Sequence, residues 1–526
     1  MPDRQKQPGK GMRRASAGAK KAKPSGSRAA RKSSSSKGNR ARANRRRRSP
    51  AAAVPVAAAA SAVLIVNIIP RSMSIESEQD SEPHLTVNPA NPDEIVATAF
   101  TPDPGGSAHA PIFVSMDGGS TWTLNASVPS QVGFATGDIT TSFSGKGRRL
   151  YAGILNGATR DLQLLGTADA MSATPMKIFQ SRGDADQPFI NAATVKKGPD
   201  KGRERVYIGV NDFKGLGGRT ATIDHSLHAG AASPSFTSTR IETRATSGQN
   251  GAQIRPVAHG DGTIYAIYYG WRATTGNFAA NTFRVTSADV VVVRDDKWGN
   301  GPKPFQALAD PNDNLPGLRV ARGLSFPFMR NGTDESGHQR LGGTLSIAVD
   351  PANSANAYIS YGERPASGSI MTLHLRRSTD RGTTWSADLL TIRNATNGAV
   401  AVSGGGVIAF LYQQLVRTTG VPRWRTVLQR STNGINWNSL VLADTPVDLR
   451  EKKFDPHLGD YVHLLALNRT FYGVFSASNR PDMTRFPSGV KFQRNADFTT
   501  RKLLRLDNTT EVKSSIDPFF FRVADI

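Results

Sequence analysis

Cysteine is absent from the chain, which excludes both a disulfide framework and a thiolate metal site. Aromatic residues fill only 7% of the 526 positions, and no long stretch repeats apolar residues at the helical period. There is no P-loop, no dinucleotide fingerprint and no nucleophile-elbow serine, so the common nucleotide-binding and α/β-hydrolase frames are excluded. Histidine is sparse, and His84, His259, His374, His457 and His463 show no metal-ligand spacing, so no metal site is expected from them. Acidic residues are nearly missing from one end. Residues 1–50 carry 18 Lys and Arg against Asp3 alone, so +17 of the net charge of +24 sits there and the remainder is only mildly basic.

What is present in quantity is turn chemistry, with 50 Gly and 31 Pro. One octapeptide organises it. Ser115-Met-Asp-Gly-Gly-Ser-Thr-Trp122 recurs as Ser378-Thr-Asp-Arg-Gly-Thr-Thr-Trp385, with a shortened echo at Ser431-Thr-Asn-Gly-Ile-Asn-Trp437. Each copy lies between strand-like runs, so it reads as a hairpin turn used several times. Ser115, Asp117, Ser378, Asp380, Ser431 and Asn433 would accept hydrogen bonds from nearby backbone N–H groups. Gly119 and Gly382 would supply positive φ, and Trp122, Trp385 and Trp437 would fold back to bury their indoles. These are structural roles rather than catalytic ones.

The motif resembles the Asp box of the sialidase, or BNR-repeat, β-propellers. Glu82-Pro-His-Leu-Thr-Val-Asn-Pro-Ala-Asn-Pro92, Asp186-Gln-Pro-Phe189 and Gly473-Val-Phe-Ser-Ala-Ser-Asn479 resemble bacterial sialidase-like proteins of unassigned activity. The resemblance implies an all-β propeller over 61–526, with boxes on outer hairpins away from the functional face. From Glu82 onward the chain divides into seven units. Each has an inner strand, at His84–Val87, Ile139–Phe143, Phe189–Thr194, Ile254–Ala258, Leu345–Val349, Ala399–Val402 and Tyr461–Leu465. An apolar second strand follows each. Seven four-stranded blades are therefore expected; sialidases of the family have six, and six is the alternative.

Residues 1–60 form a separate Lys/Arg- and Ala-rich arm with too little apolar surface to order itself. By charge it suits polyanions such as nucleic acid, anionic lipid or an acidic polymer; a solubilising tail is the plainer reading. The apolar run over 51–69 nears the length of a membrane span. It contains Pro55, however, and its strongest part, Val63-Leu-Ile-Val66, suits a strand completing the last blade; a signal-anchor is the alternative. A secreted or cell-envelope monomer is expected, with a cytoplasmic location left open.

Residues preceding the inner strands converge at one mouth of a propeller channel. Here they are Glu82, His84, Asp138, Asp186, Gln187, Arg255, Asp460 and Tyr461, joined by Trp271, Arg272, Glu363 and Arg364 after second strands. Such a set suits a glycan or protein ligand. At any one position, an acid capping loose backbone N–H groups explains the residue equally well. The resemblance implies a three-arginine carboxylate clamp, a Tyr–Glu nucleophile pair and an acid/base Asp. Arg255 is the clamp candidate, Tyr461 the tyrosine, and Asp186, Asp460 and Glu363 the weaker catalytic candidates. The first clamp arginine has no counterpart at Glu82-Pro-His84. Recognition without ordinary sialidase catalysis is therefore favoured over a sialidase-like hydrolase with a non-standard site. No cofactor is expected, though the acidic turn Asp310-Pro-Asn-Asp-Asn314 offers oxygens to Ca²⁺.

Overall fold

The computed structural model describes residues 63–526 apart from 102–108, 131–135, 157–160, 214–219, 248–253, 278–279, 281, 328–343, 366–370, 418 and 448–457. The basic arm expected over 1–60 lies outside the described residues. The rest is built from seven antiparallel sheets of at least four strands. Blades 1 to 6 take their strands in chain order, with inner strands at His84–Val87, Ile139–Phe143, Ala185–Thr194, Arg255–Ala258, Leu345–Asp350 and Ala395–Val402. Blade 7 draws on both ends of the described chain. Its inner strand is His463–Leu467, its second Thr470–Ser478 and its third Ile516–Ala524; Leu64–Asn67 pairs antiparallel with the third. Each inner strand packs against that of the next blade, and blade 7 meets blade 1, so the ring closes. The fold is a seven-bladed β-propeller.

The apolar runs take these positions because a blade is covered on both faces. Within the second strands Glu204–Asp212, Ile264–Thr275 and Ile408–Val416, residues 206–210, 264–269 and 408–412 are buried throughout, so they read as continuous apolar stretches instead of alternating ones. Every seam between blades carries its own hydrophobic cluster; that between blades 7 and 1, for example, gathers Val66, Leu85, Ile95, Phe113, Val474 and Phe520. Inner strands would leave one backbone edge unpaired. Side chains of the preceding blade satisfy it. Thr86 Oγ1 accepts from Phe143 N–H at 3.1 Å, Ser142 Oγ from Ala192 N–H at 2.9 Å, Asn191 Oδ1 from Ala258 N–H at 3.0 Å and Ser346 Oγ from Val400 N–H at 3.0 Å.

The boxes join third and fourth strands, at the opposite end of each blade from where the inner strand begins. Ser115 Oγ accepts from Gly119 N–H at 2.9 Å and donates to Asp117 Oδ1 at 2.9 Å, and Asp117 accepts from Thr121 N–H and Oγ1. Gly119 has φ +87° and Gly382 φ +80°. The indole Nε1 of Trp122 donates to Gly119 O at 3.0 Å, and that of Trp385 to Gly382 O at 3.2 Å. In the shortened copy Gly434 N–H reaches Ser431 Oγ at 2.8 Å, one residue early. Blade 4 carries an eroded box on the hairpin after Asp289-Val-Val-Val-Val293, as that run followed by Trp298 leads one to expect: Asp295 Oδ1 accepts from Gly299 N–H at 2.7 Å, a carboxylate in the serine's place. Between the second and third strands of blade 7, the chain adds the parallel strand Lys491–Phe492 and a separate three-stranded sheet. Nothing in the repeat pattern announced that insertion.

Candidate functional site

The channel holds a cavity of about 750 Å³ bounded by all seven inner strands. His84, Phe189, Arg255 and His463 line one end of it; Lys196, Lys197, His259 and Asp261 line the other, where inner strands finish. The first four come from blades 1, 3, 4 and 7 and meet across the axis. His84 stacks on His463 with ring centroids 3.9 Å apart, and Phe189 stands edge-on to His84 at 6.0 Å and to Tyr461 at 5.4 Å. The Arg255 guanidinium lies over the Phe189 face, 3.0 Å from its centroid, and 5.3 Å from that of Tyr461. Arg255 Nε donates to Leu345 O at 3.1 Å. Glu82 belongs to the same assembly, because its Oε1 accepts from Asp460 N–H at 3.1 Å.

Burial decides the protonation states here. Desolvation disfavours the charge on Arg255, opposed by Tyr461, Glu82 and Asp460; a guanidinium nonetheless stays protonated in water-compatible conditions. Burial first, then His463 and Arg255, hold His84 well below its ordinary range. Burial and Arg255 pull His463 down to about 3. Both imidazoles are neutral at pH 7, and because His84 Nδ1 accepts from Thr141 N–H at 3.3 Å, its proton sits on Nε2. Burial, with Glu82 and Asp138 beside it, lifts the Tyr461 phenol well above its ordinary value. Tyr461 is thus held protonated and is poorly suited to act as a nucleophilic phenoxide.

The structure therefore brings together Glu82, His84, Asp138, Arg255, Asp460 and Tyr461, but packs them as a buried plug rather than an open rim. Glu82, His84, Arg255, Asp460 and Tyr461 are each under a tenth exposed. Asp186 Oδ1 accepts from Gln187 N–H at 2.8 Å and so caps its own bulge, where Gln187 adopts φ +57°. Trp271, Arg272 and Glu363 stand apart from the plug. The strands run on past the expected loop: Trp271 and Arg272 lie inside Ile264–Thr275. Trp271 packs against Phe283 and Phe326 in the seam of blades 4 and 5. Arg272 pairs with Glu242 at 2.9 Å and Asp289 at 2.8 Å. Glu363 faces His374 Nε2 at 3.5 Å, whose Nδ1 meets Asp388 at 2.7 Å, on the outer part of blade 5. The Asp310 turn is no calcium loop either, since Arg319 and Arg322 occupy the Asp310 carboxylate and Arg244 and Arg319 that of Asp313.

Sequence reasoning missed His463 and Phe189 as site residues. Their signal was present in the alternation along the inner strands, which turns every second side chain toward the channel.

No protein-family profile matches the chain, and no curated protein matches it. Among solved structures it is similar to a Penicillium chrysogenum α-L-arabinanase complexed with arabinobiose, at 13% identity and TM-score 0.36 over 86% of this chain and 97% of that one. It is similar to a Hadza microbial sialidase, Hz136, at 12% identity and TM-score 0.36 over 76% and 63%. It is also similar to a family PL25 ulvan lyase, at 8% identity and TM-score 0.44 over 76% and 92%. At these identities the likeness extends to the fold alone.

Proposed function

We propose that this propeller binds a glycan in its channel and does not carry out ordinary sialidase catalysis. The observation that carries the reading is the composition of the cavity wall around Arg255. A cavity of about 750 Å³ is in the range of small-ligand sites. Its wall offers neutral imidazoles at His84 and His463, the Arg255 guanidinium stacked on Phe189, and the amide of Asn191. Such a mixture suits hydroxyl-rich, weakly charged ligands.

A sialoside carboxylate calls for converging guanidinium groups. Among the described residues lining the cavity Arg255 is the one arginine, and it is already committed to Phe189 and the Leu345 carbonyl. Each missing charge-assisted contact in a desolvated site costs about 2–5 kcal/mol. Two such losses remove most sialoside affinity, and the protonated Tyr461 argues against a nucleophilic step. A second reading, a glycoside hydrolase drawing an acid/base pair from Glu82, Asp138 and Asp460, is favoured by the gathering of these carboxyls around Tyr461. Turnover of a fluorogenic sialoside, run beside neutral glycoside substrates, tests both. The proposal expects no sialoside turnover, and robust sialoside cleavage lost in Arg255→Met overturns it. Cleavage of a neutral glycoside lost in Glu82→Gln, Asp138→Asn or Asp460→Asn would favour the hydrolase.

For the basic arm we propose contact with polyanions, on charge alone, and for the whole chain a secreted or envelope location.

A further inference from the structure

Beside blade 7, away from the channel plug, the chain buries three carboxylates against a single cation. Glu76 and Asp80 lie on the segment leading from the Leu64–Asn67 strand into blade 1, and Asp517 lies at the start of the third strand of blade 7. One oxygen from each falls within 4.8 Å of the others, and all three residues are buried. Arg494, whose side chain is fully buried, contacts Asp517 Oδ2 at 3.0 Å and Glu76 Oε2 at 3.4 Å. The Asp517 oxygens also accept from Asn67 Nδ2 at 2.7 Å and Asn479 Nδ2 at 2.6 Å. Asp80 is different. It is 0% exposed, and among the described residues neither of its oxygens meets a hydrogen-bond donor.

A buried carboxylate without a partner is strongly unfavourable. One guanidinium against three carboxylates leaves a formal charge of −2, which a divalent ion would neutralise in one step. Ligand oxygens at about 2.4 Å from one ion stand at most about 4.8 Å apart, so all three carboxylates can reach one calcium. The donors are all oxygen, with no nitrogen or sulfur to favour zinc. Both Asp80 oxygens are available for bidentate ligation. The competing account is protonation. Burial and the Asp517 charge raise Glu76 to about 8, and burial, with Glu76 and Asp517 beside it, holds Asp80 well above its ordinary range, so both carboxyls would retain protons if no cation were near. Two protons would neutralise the cluster, but a protonated Asp80 would still have no partner for either of its oxygens among the described residues, whereas an ion engages both.

We propose that Glu76, Asp80 and Asp517 form a structural calcium site. The ion would pin the segment before blade 1 to the blade that unites both ends of the described chain. Glu82, two residues beyond Asp80, reaches the channel plug through Asp460, so the ion would also hold that segment in place.

The test uses the full chain. Metal analysis of protein purified without chelator should find about one calcium per chain. After stripping with EGTA, added CaCl₂ should raise the melting temperature in a concentration-dependent way, and MgCl₂ should do so less. Asp80→Asn should abolish both calcium binding by calorimetry and the thermal shift, while folding at least as well as the stripped wild type because it removes a buried charge. Glu76→Gln serves as the second variant if Asp80→Asn does not fold. Absence of calcium in the native protein together with no thermal shift overturns the proposal. An equal shift in wild type and either folded variant also overturns it, as does a larger response to magnesium.

Discussion

Replacing Trp122 by Ala probes how the ring is closed. Trp122 is 3% exposed and sits in the seam of blades 7 and 1, with its ring 5.2 Å from Phe520. Its backbone is clasped by the Gln493 side chain, which donates to Trp122 O at 3.1 Å and accepts from Trp122 N–H at 2.5 Å. Truncation removes the indole from between two blades and leaves a cavity, a change that costs about 3–5 kcal/mol in other cores. The aromatic pair with Phe520 accounts for about 0.5–1.5 kcal/mol of such an effect. Unfolding entropy near 2.1 cal/mol/K per residue over the roughly 460 residues beyond the arm gives about 1 kcal/mol per degree, so the melting temperature should fall by about 3–5 °C. The other boxes provide an internal scale. Trp385 and Trp437 are only half-buried, so their Ala variants should cost less, about 1–2 kcal/mol. Urea unfolding of the three variants measures the series. Equal costs for all three, or a Trp122→Ala cost below about 1 kcal/mol, would refute the account of the box as a seam-filling staple graded by burial.

Stability should also fall with acid through the channel histidines. Burial, with the Arg255 charge beside it, pulls His463 from an ordinary 6.5 down to about 3 in the fold. The unfolded chain therefore takes up a proton first as pH drops, and stability is lost from about 6.5 downward toward 3. Urea midpoints across that range should decline less steeply for His463→Gln than for wild type, and parallel declines would contradict the assignment. Deleting residues 1–50 should leave the melting temperature within about a degree and abolish salt-sensitive binding to DNA or anionic vesicles; a truncated protein that binds polyanions just as tightly refutes the arm's role.

Most of the architecture was legible because a propeller writes itself locally. Each second strand is covered on both faces and so appears as an apolar run, while each box fixes a hairpin with its own side chains. His84–Val87 and Ile139–Phe143 match their expected bounds. The inner strand of blade 7 lies two residues beyond Tyr461–Leu465, because Asp460 and Tyr461 are drawn into the plug instead of the ladder. Side-chain partners across blades were not legible. The burial of Arg255 depends on Phe189 and Tyr461, from blades 3 and 7, and no local pattern encodes that meeting. Trp271 and Arg272 were misplaced for a related reason: where the second strand of blade 4 stops depends on its pairing with Arg284–Asp295, and that pairing carries it to Thr275. The Glu76, Asp80 and Asp517 cluster joins residues more than 400 positions apart, beyond any motif.

The central claim is that the channel cavity recognises a weakly charged glycan through the wall around Arg255, His84 and His463 without turning over sialosides. The most direct measurement is calorimetric titration of wild type and His463→Phe with neutral oligosaccharides and with a sialoside. His463→Phe keeps a ring against His84 and removes the imidazole nitrogens. The account predicts saturable binding of a neutral oligosaccharide, about tenfold weaker or more in His463→Phe as expected for a lost buried hydrogen bond, and little sialoside binding. Tight sialoside binding, or neutral-glycan affinity identical in the two proteins, would contradict it.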